Sequence, residues 1–279
     1  MDKLKVRVNA KLNMTLDVVG NFGRGYHNLD MTMISIGVFD IVEVCKADTI
    51  SVFMDYKECD ESNTAYKVAK ICNEEYGLPP VKIEIVKGIP FGGGLGGSSA
   101  DASATLYCMQ KLFGLSDSNA KLIATRVGSD VNFMLKGGFC RVTGKGDDLS
   151  PLPFKEYSLV VAKSKTSAVT KEVFDNFDKI GVVTDFTKKF VNALGNGSEL
   201  QFIGNGLQSV TQSLCEDMTK VIEVLSKYSH YVCMSGSGTC VFAIMENMND
   251  ANLLADRLKV KMNYIKACTT LPYGIKECW

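Results

Sequence analysis

Five glycines fall within the six residues from Gly92 to Gly97, at the junction of a strand pattern and a helix pattern. Val81 to Val86 alternates apolar and polar residues, as a half-buried strand does, and Ala100 to Phe113 places its apolar residues on one helical face. We call residues Gly92 to Gly97 the glycine loop. Because glycine has no Cβ atom, the backbone N–H groups of such a loop can close around an anion. The N-terminus of the following helix adds unpaired donors and a partial positive charge. The alternative is a flexible loop without a ligand, and the sequence favours an anion-binding loop.

The surrounding segment, Ile89 to Asp101 (IPFGGGLGGSSAD), differs from two common phosphate-binding motifs. A Walker A loop needs a lysine at the start of the helix, and this segment has none. A dinucleotide-binding loop follows the first strand of its βαβ unit, whereas this loop comes after several predicted elements. Ser98 or Ser99 is predicted to cap the helix and to donate a hydrogen bond to a phosphate oxygen.

Charge and cysteine usage narrow the possible partners and the compartment. The chain has 31 basic and 31 acidic residues, so its formal net charge is zero, and neither nucleic acid nor an anionic membrane is expected as a partner. The longest apolar runs, such as Leu159 to Ala162, are far too short to span a bilayer. The ten cysteines are spread singly without a CxxC pair, and the charged N-terminus (MDKLK) lacks the apolar core of a signal peptide. We therefore expect a cytoplasmic protein with reduced thiols.

Pro151 and Pro153 interrupt the secondary-structure pattern and predict a domain boundary there, with domains at residues 1–152 and 153–279. Hydrophobic periodicity predicts strands and helices in both parts. The predicted strands are 5–19, 31–45, 81–86, 139–143, 158–162, 231–235, 239–245 and 263–268. The predicted helices are 63–76, 100–113, 118–127, 169–180, 184–194, 207–227 and 249–260.

Several other residues are candidates for chemistry, each with a plainer alternative. Lys11 lies in an apolar strand pattern, which is unusual for a surface lysine. Asp130 follows a Gly-Ser pair, where a turn residue or helix cap is the alternative. His27 could hydrogen-bond a pyrimidine edge while Tyr26 stacks on the ring, and a hairpin tyrosine beside an exposed histidine is the alternative. His230 lies next to a strand pattern, so it is expected to be structural rather than a metal ligand.

The order and spacing of six motifs resemble the GHMP kinases, the superfamily of galactokinase, homoserine kinase, mevalonate kinase and phosphomevalonate kinase. The motifs are the glycine loop, Val8–Asn13 (VNAKLN), Gly25–His27 (GYH), Asn63–Lys67 (NTAYK), Val127–Val131 (VGSDV) and Met234–Thr239 (MSGSGT). The glycine loop and the last motif are typical of the whole superfamily. Lys11, the GYH motif and Asp130 together resemble the branch that phosphorylates 4-diphosphocytidyl-2-C-methyl-D-erythritol.

The resemblance implies an α+β two-domain GHMP kinase fold, with the site in the cleft between the domains. The N-terminal α/β domain, which carries ATP, would be ribosomal-protein-S5-domain-2-like, and the C-terminal α+β domain would be ferredoxin-like. The implied reaction is ATP-dependent phosphorylation of the 2-hydroxyl of that cytidylyl alcohol, in isoprenoid precursor synthesis. Phosphoryl transfer also usually needs Mg²⁺ to neutralise charge, and the sequence does not name its ligands.

Lys11 and Asp130 are the predicted catalytic residues. Asp130 would accept the hydroxyl proton late in the reaction, and Lys11 would keep Asp130 ionised and stabilise the transferring group. The resemblance implies nucleotide contacts for Asn63, Lys87, Gly92, Gly93, Gly94, Leu95, Gly96, Gly97, Ser98 and Ser99. It implies substrate contacts for Asn13, Tyr26, His27 and Phe174, and a place near the phosphates for Gly236, Ser237 and Gly238.

A few positions depart from the family pattern: Arg24, Met31 to Ser35, Asn132 and Gly206. Two alternatives therefore stay open. One is a GHMP kinase that acts on another small alcohol, of the mevalonate or homoserine type, and the other is a nucleotide-binding homologue with impaired catalysis. The sequence leaves the oligomeric state open between monomer and homodimer.

Overall fold

The computed structural model describes residues 2–23 and 26–278, apart from the side chains of residues 21–23 and 26. The strands are β1 (Lys3–Gly23), β2 (Tyr26–Lys46), β3 (Ser51–Met54), β4 (Lys57–Glu58), β5 (Val81–Val86), β6 (Phe139–Gly144), β7 (Asp148–Pro151), β8 (Ser158–Lys163), β9 (Gly204–Asn205), β10 (Val232–Met234), β11 (Cys240–Met245), β12 (Tyr264–Leu271) and β13 (Ile275–Glu277). The α-helices are α1 (Thr64–Tyr76), α2 (Gly97–Phe113), α3 (Asp117–Val127), α4 (Val131–Lys136), α5 (Thr170–Ile180), α6 (Phe186–Ala193), α7 (Gln208–Leu214), α8 (Glu216–Leu225) and α9 (Met248–Leu258). A 3₁₀ helix spans Glu199–Phe202.

A long hairpin forms the centre of the first sheet. β1 and β2 pair antiparallel along nearly their whole length, from Lys3 opposite Cys45 to Gly23 opposite Tyr26. Residues 8–18 of β1 are all buried, so neither face of this stretch is open to solvent. Polar side chains in the stretch must therefore find partners inside the protein.

The other strands of this sheet and its helices frame the glycine loop. β5 and β6 both pair with β2, along different halves of it, and β3 runs parallel to β5. α2 packs on β1 and β2, while α1 and α4 pack on α2. The glycine loop joins β5 to α2, so it is anchored by a strand at one end and by a buried helix at the other.

A second antiparallel sheet has the strand order β10-β11-β8-β12. It joins the first sheet where Thr270 and Leu271 of β12 pair with β2. β13 then pairs with β1, so the last described strand belongs to the sheet that the first half of the chain mostly builds. The domain division at residues 1–152 and 153–279 stays a prediction. Within the described part of the chain, no helix has the length and apolar character that crossing a membrane requires.

The structure differs from the predicted elements at specific places. The single helix predicted at 207–227 is wrong, because Cys215 has φ −137° and ψ 82° and separates α7 from α8. The sequence patterns also do not predict β3, β4, α4, β7, β9 or β13. These segments have two to six residues, which is too short to show a hydrophobic period.

Asp17, buried in β1, joins the first sheet to α6. Its carboxylate accepts hydrogen bonds from the Thr184 hydroxyl at 2.5 Å and from the backbone N–H groups of Phe186 and Thr187 at 3.1 and 2.7 Å. These two N–H groups lie in the first turn of α6, where no intrahelical acceptor exists. Asp185, at the N-cap position itself, makes no side-chain cap bond. A carboxylate of the hairpin therefore caps a helix from the second half of the chain.

We expect Asp17→Ala to lower the free energy of unfolding by about 3 kcal/mol, because it leaves one hydroxyl and two N–H groups without their charged acceptor. The matched control is Asp185→Ala, which removes an exposed carboxylate from the start of the same helix. That change should cost less than about 0.5 kcal/mol. Urea titration of both variants measures the difference, and equal effects would contradict the capping role of Asp17.

Candidate functional site

Hydrogen bonds and close backbone contacts hold the glycine loop in place. The Lys11 N–H donates to the Leu95 carbonyl at 3.1 Å, and the Ser235 hydroxyl donates to the Gly94 carbonyl at 3.0 Å. Gly94 has a φ of +73°, and a Cβ atom on it would lie 2.2 Å from the carbonyl oxygen of Ser235. The loop therefore has a defined conformation, and the flexible-loop alternative does not describe it.

The helix after the loop starts earlier than predicted. α2 begins at Gly97, with Gly96 at the N-cap position and no side-chain cap bond, so the prediction that Ser98 or Ser99 caps the helix is wrong. The reason is that both serines already lie inside the first turn. The first intrahelical bond runs from the Ala100 N–H to the Gly96 carbonyl at 2.8 Å. The N–H groups of residues 97–99 thus have no acceptor within the helix, and they are available to an anion.

A cleft of about 500 Å³ opens beside the loop. Most of the predicted site residues line it: Lys11, Asn13, Lys87, Gly92 to Ser99, Asp130, Phe174, Gly236, Ser237 and Gly238. Asn63 and His27 are not among the lining residues of the described part. The side chain of Tyr26, and all of Arg24 and Gly25, lie outside the described residues. A larger concavity of about 760 Å³ between β8, β11 and α9 contains none of the predicted site residues.

Lys11 and Asp130, which both line this cleft, form an ion pair. The Lys11 ammonium lies 3.4 Å from Asp130 Oδ2 and donates a hydrogen bond of 2.5 Å to Asn13 Oδ1. The Lys11 side chain is 5% exposed and that of Asp130 is 25% exposed, so the carboxylate is the group that a ligand can reach. Asp130 occupies the N-cap position of α4, but its side chain makes no cap bond. The helix-cap alternative for Asp130 therefore does not hold in this structure.

The predicted substrate residues His27 and Phe174 lie against each other. Their rings stack with centroids 4.5 Å apart and an interplanar angle of 22°. His27 Nε2 is also 2.7 Å from Asp178 Oδ1, and both Phe174 and Asp178 lie on α5. His27 is buried, which differs from the exposed loop histidine that was its plainer alternative. α5 thus binds the β1–β2 hairpin and also presents Phe174 to the cleft.

Asn63 and Lys87, two of the residues predicted to contact the nucleotide, have different surroundings. Asn63 caps α1, since its side-chain oxygen accepts from the N–H groups of Ala65 and Tyr66 at 2.8 and 3.4 Å. Lys87 lines the cleft, but its ammonium also contacts Asp40 and Asp101 in the protein interior. Burial alone would lower the pKa of Lys87, but the charges of Asp101 and Asp40 outweigh it and hold the pKa above its ordinary value.

Sequence patterns missed the residues that hold the Met234–Thr239 turn. Asn205 Nδ2 donates to the carbonyls of Met234 and Gly236 at 3.0 and 2.8 Å. Gln208 Oε1 accepts from the Met234 N–H at 2.9 Å. These two polar residues lie on either side of Gly206, one of the positions that depart from the family pattern. That departure was the signal in the sequence that could have drawn attention to them.

Comparison with known proteins gives matches across the chain. Residues 63–139 match the model for the GHMP kinases N terminal domain, and residues 185–263 match the model for GHMP kinases C terminal. A 4-diphosphocytidyl-2-C-methyl-D-erythritol kinase from Clostridium beijerinckii is 35% identical over 272 residues, which cover 92% of this chain and 96% of that protein. The same kinase from Thermoanaerobacter pseudethanolicus is 32% identical and covers 99% of both chains.

Solved structures agree with these matches. The crystal structure of a 4-(cytidine 5'-diphospho)-2C-methyl-D-erythritol kinase has a TM-score of 0.82 at 27% identity, and the match covers 95% of this chain and 98% of that chain. A homoserine kinase from Cytophaga hutchinsonii has a TM-score of 0.73 at 18% identity over 100% of this chain and 98% of its own, which shows the shared fold alone. The predicted two-domain GHMP kinase fold is thus confirmed. The chain belongs to the GHMP kinases and, within them, to the 4-diphosphocytidyl-2-C-methyl-D-erythritol kinase family.

The contact between Gly94 and Ser235 generates a prediction about ATP. Gly94→Ala should lower the affinity for ATP at least tenfold, because the new Cβ atom overlaps the Ser235 carbonyl and the positive φ is strained. Calorimetric titration with ATP measures this affinity. Gly114→Ala is the control, since Gly114 has a φ of +74° but nothing within 4 Å of a Cβ atom. It should lose about 1 kcal/mol of stability and keep its ATP affinity, and equal losses of affinity would contradict the argument.

Proposed function

We propose that this protein transfers the γ-phosphoryl group of ATP to the 2-hydroxyl of 4-diphosphocytidyl-2-C-methyl-D-erythritol, a step of the non-mevalonate isoprenoid precursor pathway. The observation that carries the proposal is the Lys11–Asp130 ion pair in a cleft that the glycine loop also lines. The relatives named for this activity match nearly the whole chain and support the assignment of the substrate.

The nucleotide is expected to bind with its phosphates on the glycine loop. Backbone N–H groups at the start of α2 and the hydroxyls of Ser98 and Ser99 supply donors for phosphate oxygens. Gly236, in the Met234–Thr239 turn, lies beside Lys11, since a Cβ atom on Gly236 would be 3.2 Å from the Lys11 ammonium. The phosphates would therefore lie between two glycine-rich segments and next to one buried cation.

The Asp130 carboxylate is suited to bind the acceptor hydroxyl. Its carboxylate can orient the 2-hydroxyl and accept the hydroxyl proton as the new bond to phosphorus forms. Lys11, held by Asn13, stabilises negative charge on the transferring group without needing to move. The cytosine end is proposed to bind toward Phe174, against which His27 stacks.

Mg²⁺ is proposed to arrive with ATP. Among the described residues, no group of three or more His, Cys, Asp or Glu side chains is placed to hold a metal ion by itself. Asp130 is the one carboxylate among the described residues that line the cleft, and Ser99 also lines it. The Ser99 hydroxyl lies near the segment before Asp130, since a Cβ atom on Gly128 would be 3.6 Å from it. This donor set fits an ion held mainly by phosphate oxygens and water. When bound, the ion would neutralise charge on the phosphates.

The compartment is also part of the proposal. All ten cysteines are free thiols in the structure, and most of them are buried. Burial raises the pKa of Cys72, Cys233 and Cys240 to about 12, so these thiols are poor nucleophiles. Free thiols in this number support a reducing compartment, and we propose the cytoplasm.

Asp130→Asn should lower kcat by about 10²- to 10⁴-fold, because the amide cannot accept the hydroxyl proton. The affinity for ATP should change less than threefold, since the glycine loop is untouched. A coupled assay of ADP release with the cytidylyl erythritol measures kcat, and calorimetry measures ATP binding. Asp117→Asn, an exposed carboxylate at the start of α3, is the control and should leave both quantities unchanged.

The same assay tests the substrate. ATP consumption should respond to the cytidylyl erythritol and not to mevalonate or homoserine. A response to another alcohol alone would overturn the proposed substrate. Tight ATP binding without turnover on any of the three would indicate a homologue with impaired catalysis. Unchanged turnover in Asp130→Asn would overturn the role of Asp130.

A further inference from the structure

A buried cluster of three charged residues lies beside the cleft, which one of them, Lys87, lines, and the mechanism above uses none of the three. The Lys87 ammonium lies 2.5 Å from Asp40 Oδ2 and 2.8 Å from Asp101 Oδ2. The side chains of Asp40, Lys87 and Asp101 are 0%, 6% and 2% exposed. They come from three different elements, since Asp40 belongs to β2, Lys87 follows β5 and Asp101 belongs to α2.

The second oxygen of Asp40 holds the chain that leads into the glycine loop. Asp40 Oδ1 accepts from the backbone N–H groups of Gly88 and Ile89 at 2.7 and 2.8 Å. One carboxylate thus orients two consecutive peptide groups and also contacts the ammonium of the residue before them. At the other end of the loop, Asp101 lies on the second turn of α2 and contacts the same ammonium. The two ends of the loop are therefore tied together through Lys87.

The cluster is a costly way to stabilise a fold. Taking three charges out of water carries a large desolvation penalty, and apolar residues of similar volume often stabilise a protein as well or better. Asp101 Oδ1 is buried and has no hydrogen-bond partner among the described residues. Burial raises the pKa of Asp101, because its carboxylate charge is poorly solvated, and the neighbouring Lys87 ammonium opposes this rise. These costs favour a role in positioning over a role in stability alone.

We propose that Asp40 and Asp101 are positioning residues that act through Lys87 to hold both ends of the glycine loop in the arrangement that binds ATP. The inference rests on the proposed function, because it takes ATP as the ligand of this loop. In this arrangement Lys87 links the two ends of the loop as well as lining the cleft. Two carboxylates balance the Lys87 ammonium and occupy two of its three N–H donors, so its charge is not free to neutralise the phosphates.

The test is Asp101→Asn, which keeps the volume of the side chain and removes its charge. The KM for ATP should rise about tenfold while kcat and the KM for the alcohol change less than twofold. The reason is that a preorganised loop contributes equally to binding the ground state and the transition state. The dissociation constant of ATP, measured by calorimetry, should rise by the same factor as the KM.

Glu199→Gln is the matched control. Glu199 is a buried carboxylate that pairs with Lys155 at 2.8 Å, and neither residue lines the cleft. The control should lower the melting temperature without changing the KM for ATP. If Asp101→Asn does not accumulate as a folded protein, Asp40→Asn is measured in its place, because its amide oxygen can still accept from Gly88 and Ile89.

The outcomes separate this inference from the proposed function. An unchanged ATP dissociation constant in the folded Asp101→Asn or Asp40→Asn variant would overturn the inference. So would a loss of kcat alone, or an equal rise in the KM for ATP in Glu199→Gln. If the wild-type protein binds ATP but does not phosphorylate the cytidylyl alcohol, the proposed function fails, and the calorimetric comparison still decides the role of the cluster.

Discussion

Backbone packs directly on backbone where the glycine loop meets the Met234–Thr239 turn, and the rest of the site depends on this contact. A Cβ atom on Gly94 would overlap the Ser235 carbonyl, and one on Gly236 would lie 3.1 Å from the Gly94 carbonyl oxygen. A side chain at Gly94 would force the two segments apart, and one at Gly236 would require a shift of a few tenths of an ångström. The contact joins the loop of the first sheet to a turn of the second, and it places the start of α2 and Lys11 beside the same space.

A chain with no net charge must bind a polyanion through local features. Among the described residues that line the cleft, Lys11 and Lys87 are the two cations. Asp40 and Asp101 balance Lys87. Lys11 pairs with one carboxylate, that of Asp130, and in the proposed mechanism this carboxylate binds the acceptor hydroxyl. The remaining attraction for phosphate comes from N–H groups at the start of α2 and from the loop backbone, which carry no formal charge. Neutrality of the whole chain and affinity for ATP are therefore compatible.

The sequence singled out candidate site residues, and it gave no signal for the residues that support them. The glycine loop and Lys11 stand out because glycine clusters and lysines in apolar strands are unusual, whereas Asp130 is singled out by the resemblance to the GHMP kinases. Asp40 and Asp101 gave no such signal, because a single carboxylate in a strand or helix pattern is common, and only the fold shows that both contact Lys87. The start of α2 was misplaced for a related reason. Ser98 and Ser99 are good capping residues by type, but Gly96 occupies the N-cap position and the helix begins at Gly97, before either serine.

The sequence by itself determined the strand–loop–helix order around Gly92 to Gly97 and, through its resemblance to the GHMP kinases, the class of fold and the candidate residues for the chemistry. The strand–loop–helix order depends on local periodicity and on backbone freedom, which neighbouring residues define. Only the tertiary structure decided which charges pair, where His27 and Phe174 meet, and how Asp17 caps a helix in the other half of the chain. Those contacts join residues that are far apart in the sequence, and burial of charged and polar groups makes each of them depend on its partner.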